Sequence, residues 1–156
     1  MNYFQLFINH NSLVLEEYNE SPAFYYRYLD KKRDIGYFHI ILNSFLLSRL
    51  AIYSMENGYT VNKISIEENE QVDIKDYNFS PFDNDNYKTT KIYKLLEDSS
   101  KYNLKVSYIL LEDLKKDIEI KILDNGIIGL ESNDLVDTKK SVLELFNSIF
   151  NQNVYV

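Results

Sequence analysis

Apolar residues alternate with polar ones at the start of the chain, shift to a three-to-four spacing, and return to alternation before a last helical stretch. Tyr3–Ile8 and Leu13–Tyr18 are aromatic and β-branched runs parted by Asn9, His10, Asn11 and Ser12, which predicts an N-terminal β-hairpin. Ser21-Pro22 is a helix-start pair: the serine oxygen can accept from an orphan amide, and proline at the first helical position gives up no useful donor. A helix from Pro22 to about Arg33 follows. Asp34 stands where it could cap a longer helix running from Ile35 to Asn57 and ended at Gly58. Phe38, Ile41, Leu42, Phe45, Arg49 and Ile52 would form one stripe of it, with Ile40, Leu46, Leu47, Leu50 and Tyr53 on the other sides. A helix so apolar all round is expected to be a long, central, buried one. His39, Asn43 and Arg49 interrupt it, and the arginine alone would cost at least ~2.5 kcal/mol in a bilayer, so it reads as core and not as a membrane span.

Tyr59–Ile66 reads as a strand, with Val61 and Ser65 set against Thr60, Ile64 and Ile66. Residues 67–86 have little periodicity and contain Ser80-Pro81, which predicts a long loop. Ile92, Leu95, Leu96, Ser99 and Tyr102 mark a helix from about Lys88 to Tyr102, followed by a strand with Leu104, Val106, Tyr108 and Leu110 on one face. Ile118, Ile120 and Ile122 alternate with Glu119 and Lys121, and Asp124-Asn125-Gly126 then turns the chain, as a type I′ hairpin would, into Ile127–Glu131. Asp137 or Thr138 is the expected cap of a final helix to about Asn151 that carries Val142, Leu145, Phe146 and Ile149 at helical spacing. The whole predicts one α+β domain over residues 1–156, with a mostly antiparallel sheet and both a C-terminal hairpin and a C-terminal helix.

Charge adds the first functional hint. The thirds 1–50, 51–100 and 101–156 carry balances of 0, −5 and −2, and Glu67–Asp85 alone holds seven carboxylates against Lys75. Such a field repels phosphate backbones and favours a basic protein surface. The expected function is a non-enzymatic, acidic protein-binding module, of the general kind that inhibits or confers immunity by blocking a basic partner. Glu67, Glu68, Glu70, Asp73, Asp76, Asp83 and Asp85 would steer association, while Phe79, Phe82 and Tyr87 would supply contact area. With no cysteine in the sequence, disulfides and thiolate metal sites are excluded. Met1–Ile8 lacks the features of a leader, so a cytoplasmic location is expected. No cofactor is called for, and neither a membrane nor an oligomeric state is indicated.

Other constellations point elsewhere. Between Lys94 and Gly129, Asp124, Asn125, Gly126 and Gly129 resemble the nucleotide-binding box of histidine-kinase-type ATPases, in which an aspartate reads the adenine amino group; the resemblance implies a degenerate nucleotide- or metal-binding enzyme domain built on the 118–130 hairpin. The sequence departs from that pattern at Lys94, where the family has an acid, and at Asp98, where it has a magnesium-binding asparagine. It also has no glycine-rich lid, its glycines being Gly36, Gly58, Gly126 and Gly129. Glu119-Ile120-Lys121 has the spacing of a nuclease superfamily, but pairing about Leu114 would set Glu119 opposite Leu110, away from any second carboxylate. Asp83, Asn84, Asp85 and Asn86 offer oxygen in a row, yet Lys88 stands where a calcium loop needs glycine. His39 and Asn43, a turn apart, could form a polar pair in the central helix. Tyr25, Tyr26, Arg27, Tyr28, Lys31, Lys32 and Arg33 mix rings and bases as a single-strand nucleic-acid binder would, although an amphipathic helix explains them more simply. Fourteen tyrosines without a tryptophan suit an interface.

Overall fold

The protein is described by a computed structural model covering residues 1–154, with side chains through Asn151. Seven strands form one antiparallel sheet: β1 (Asn2–Asn9), β2 (Ser12–Glu17), β3 (Phe38–His39), β4 (Thr60–Ile66), β5 (Val106–Asp113), β6 (Ile118–Leu123) and β7 (Ile127–Glu131). Four helices accompany it: α1 (Tyr25–Asp34), α2 (Ser44–Glu56), α3 (Asp85–Tyr102) and α4 (Leu135–Val154). The α+β class, the two terminal hairpins and the C-terminal helix are as the sequence implies. Spatial order is β2-β1-β7-β6-β5-β4, and β3 pairs with β1 at the end that β7 leaves open.

Alternation divides the sheet into two unlike faces. Phe4, Leu6, Ile109, Leu111, Ile118, Ile120, Ile122, Ile128 and Leu130 point to the side where α2 and α4 pack, and α3 rests on α2. Each such fully buried side chain stabilises the fold by about 1.5–3 kcal/mol. The other face is covered only at β1 and β2, by α1, whose Tyr28 meets Phe7 at 6.0 Å between ring centroids. Over β4–β7 that second face carries Lys63, Tyr108, Leu110, Glu112, Glu119 and Lys121, half-buried or exposed.

The long helix from Ile35 does not form. Gly36 (φ +92°) ends α1 instead: its amide donates to the Arg33 carbonyl and that of Tyr37 to the Lys32 carbonyl, the paired bonds of a Schellman cap. Residues 35–43 then cross the end of the sheet, and α2 starts at Ser44, where the Asn43 side chain accepts from the Leu46 amide at 2.8 Å. Asp34 caps nothing there, and His39 lies in β3, so it is not the helical partner of Asn43. The surplus of apolar residues in the expected helix is thereby explained, since Ile35, Phe38, Ile41 and Phe45 are exposed.

Two bulges correct the expected strand faces. Register shifts between Val61 and Lys63 and between Ser65 and Ile66 put Val61 and Ile64 on the core side together, and on β5 put Val106 with Ile109 and Leu111. Tyr108 and Leu110 consequently face away from the helices. Caps differ as well. Ser21 contributes its carbonyl and not its hydroxyl to the 3-10 turn Pro22–Phe24 that precedes α1. α4 is entered through Asp134, whose carboxylate accepts from the Asp137 amide at 3.1 Å, while the Thr138 hydroxyl donates back to the Asp134 carbonyl. At the last hairpin only Gly126 has positive φ, so the turn is not type I′; the two-residue loop with positive φ throughout is His10-Asn11 in the first hairpin.

Candidate binding surface

The acidic segment between β4 and α3 is folded on itself. Asp73 accepts from the Lys75 amide at 3.0 Å and so starts a 3-10 turn over Ile74–Tyr77. Tyr77 is buried and donates its phenol to Asp98 at 2.8 Å. Its ionisation is pushed well above the ordinary phenol range by burial and then by that carboxylate. The seven carboxylates therefore divide by task. Glu67 pairs with Lys105 at 3.4 Å and Asp76 with Lys94 at 3.9 Å. Lys105 also reaches Asp124 at 3.7 Å, and these two acids raise its pKa, Glu67 first. Glu68 and Glu70 are exposed without a basic partner among the described residues, and with Asp73 they line a depression of about 640 Å³.

The remaining predicted residues gather at a tip made of two parts. The turn ahead of α3 brings Phe79, Phe82 and Asp83, and the first turn of that helix brings Asp85 and Tyr87, since α3 begins three residues before the expected Lys88. The Asp83 amide donates to the Ser80 carbonyl, and the Ser80 amide donates back to the Asp83 carboxylate at 2.6 Å. Asn84 caps α3 by accepting from the Tyr87 amide at 2.8 Å, so Asp83 and Asn84 serve the backbone and not a cation. Underneath lies Lys88, 1% exposed, which donates to the Pro81 carbonyl at 2.8 Å and places its ammonium 5.8 Å from the centre of the Phe79 ring. Burial pulls its pKa down, against the nearby charges of Asp85 and Asp83. On top of this clamped turn Phe82 is 97% exposed, beside Asp83 and near the exposed Asp85 and Tyr87. Lys88 was not singled out from the sequence. The signal was there: it sits one helical turn before Ile92 and two before Leu95, on the stripe that is buried.

On the open sheet face the pairing differs from the sequence-based register. Glu112 lies directly opposite Glu119, and Glu119 opposite Glu131, so three carboxylates form one row across β5, β6 and β7. No group of three or more His, Cys, Asp or Glu among the described residues is arranged to hold a metal ion. A hydrogen bond with Glu131 raises the Glu119 carboxyl above its ordinary range, and like-charge repulsion adds to it. Because a native carboxyl with raised pKa takes up its proton before the unfolded chain does, this repulsion is present at neutral pH and relieved as pH falls through that window. Glu119→Gln is therefore expected to raise Tm by roughly 2 °C at pH 7 and to change nothing near pH 3; thermal scans at both values check this.

Beside that row, Tyr108 lies under two ammonium groups, Lys121 at 4.5 Å and Lys63 at 5.6 Å from the ring centre. A hydrogen bond from Lys63 draws its pKa down. At the other end of the same face the phenol of Tyr25 donates to the buried Gln5 side chain at 2.8 Å, with the Asn125 carbonyl at 3.2 Å, and burial pushes its pKa up to about 12.

No family model matches the chain, and no curated protein or solved structure matches it. No helix among the described residues is long and apolar enough to cross a membrane.

Proposed function

We propose that the chain is a non-enzymatic binding module that docks a basic protein through the tip ahead of α3 and acts by occluding that partner's surface. One observation carries the reading: Phe82 stands 97% exposed on a turn held by a buried lysine. An exposed phenylalanine forgoes about 1.5–3 kcal/mol of burial, and a desolvated ammonium is costly too, so two unfavourable features coincide at one turn. A rigid aromatic anchor ringed by acids is what a cationic surface with an apolar socket would receive. Asp83 and Asp85 border that anchor, and Glu68, Glu70 and Asp73 extend the negative field; Glu67 and Asp76, already paired, contribute less. Phe79 and Tyr87 support the tip, each under a lysine of the chain itself.

The test is capture from the native host with wild-type protein and two variants, each first shown to keep its melting temperature. Phe82→Ala is expected to lower affinity for the captured partner by about 30-fold, the size of an interface hot spot. Glu68→Gln with Glu70→Gln and Asp73→Asn is expected to slow association and flatten its salt dependence while dissociation changes little. A partner retained equally by wild type and Phe82→Ala would refute the anchor.

A further inference from the structure

Between the first strands, the entry to α1 and the last hairpin lies a cavity of about 580 Å³, within the range of small-ligand sites. Tyr3, Tyr18 and Tyr25 line it with Leu123 and Ile127, and Glu20 is the one charged residue on its wall. We infer that this cavity is a binding site for an organic ammonium group.

The walls are set before any guest arrives. Tyr25 is fixed through its phenol to Gln5, itself 0% exposed, whose amide donates to the Asn125 carbonyl at 3.0 Å. Tyr18 stands perpendicular to Tyr25, at 5.6 Å between centroids, and is backed by Tyr28 at 5.2 Å. Such rings present the negative side of their quadrupole to a cation. Nine aromatic rings elsewhere in the protein lie within reach of a lysine or arginine of the chain, and others, such as Phe24 and Phe82, stand without one, as the cavity rings do. Among the described residues, none of the three cavity tyrosines has one, and no basic side chain lines the cavity. Burial first, and then the charge of Glu20, raise the Tyr18 pKa, so the one charge on the cavity wall lies close to its rings. An apolar guest without charge would gain the rings and aliphatic walls but nothing from Glu20. An anion would meet repulsion.

The test is an NMR titration of the full chain, following the amides of Leu123 and Ile127, with three probes: choline, its neutral isostere 3,3-dimethyl-1-butanol, and the amide of N-acetyl-trimethyllysine. A saturable shift with choline, about tenfold stronger than with the isostere, is the expected result. If the trimethyllysine amide binds in choline's place, the ammonium comes from a protein side chain; if choline alone binds, it comes from a free small molecule; either supports the site. Tyr18→Phe should keep the affinity and Tyr18→Leu should lower it about fivefold, with Glu20→Gln as a surface change that weakens choline and leaves the isostere untouched. Equal binding of choline and the isostere, or no saturable shift with either ammonium, overturns the inference. This site is independent of the tip: Phe82→Ala leaves it intact, so failure of one proposal is distinguishable from failure of the other.

Discussion

Raising the pH above 10 is expected to unfold the protein in one cooperative step before pH 12, well ahead of the loss of ordinary secondary structure by base. Tyr25 is held up to about 12 by burial and then by the charges of Tyr18, Tyr26 and Asp124. Tyr28 is raised further, by burial first and Glu16 next, and Tyr77 by burial and its bond to Asp98. Each of these phenols keeps its proton in the native state where the unfolded chain, titrating near 10, has lost it. The stability they contribute is complete below pH 10 and is lost as pH rises from there towards the native values. The loss is up to ~1.4 kcal/mol per pH unit for the buried Tyr77 and less for the half-buried, solvent-screened Tyr25 and Tyr28, roughly 2–3 kcal/mol per unit together. Against a total of about 5–15 kcal/mol, that is decisive. Lys88 and Tyr108 have lowered values and act in the opposite sense, an opposition that fades as the unfolded chain loses the same two protons. Absence of tryptophan makes the measurement clean. Tyrosinate absorbance at ~295 nm should show an early exposed class and a late class rising together with the loss of circular dichroism. Smooth titration of all tyrosines near 10 with the fold intact would contradict this.

The largest single-site loss is expected at Gly126. It has φ +84°, and a Cβ there would lie 2.3 Å from the Ile40 carbonyl oxygen and 2.7 Å from the Gln5 side-chain nitrogen. The first neighbour is backbone and cannot swing aside. Three segments meet at this turn, because the Gly126 carbonyl accepts from the Leu6 amide and the neighbouring Asp124 carbonyl from that of Leu42. Gly126→Ala is expected to cost about 3–5 kcal/mol and lower Tm by roughly 10 °C. Gly58→Ala is the control: φ is +88°, but nothing lies within 4 Å, so only the conformational cost of about 1 kcal/mol remains. Similar melting temperatures for the two variants would mean that the close approach at Gly126 is not maintained in solution.

What was legible in the sequence was local. Alternation with turn residues gave both hairpins, and the spacing of Ile92 and Leu95, or of Val142, Leu145, Phe146 and Ile149, gave α3 and α4, because those side chains are buried on one stripe. The long central helix was misread since an apolar residue count does not say where a helix starts; Gly36 and Asn43 are the punctuation, and both lie inside the apolar run. Bulges defeated the reading of β4 and β5, as one inserted residue inverts every face beyond it. The acidic loop was recognised by composition, but which carboxylates are paired depends on Lys94 and Lys105, and these come from later elements. No periodicity could have assembled the cavity, whose walls come from β1, from the stretch between β2 and α1, and from the last hairpin.

The place of β1 in the sheet has a consequence for how the chain reaches this structure. Its left neighbour β2 is available almost at once, but its right neighbour β7 joins through Asn2–Gln5 against Ile127–Leu130, so the first and last strands close the middle of the sheet. A lone two-stranded ribbon is marginal in water, and joining segments so distant carries a large loop-closure entropy. During synthesis the β1–β2 ribbon must therefore wait until β7 has left the ribosome, and commitment to the native topology comes late and slowly.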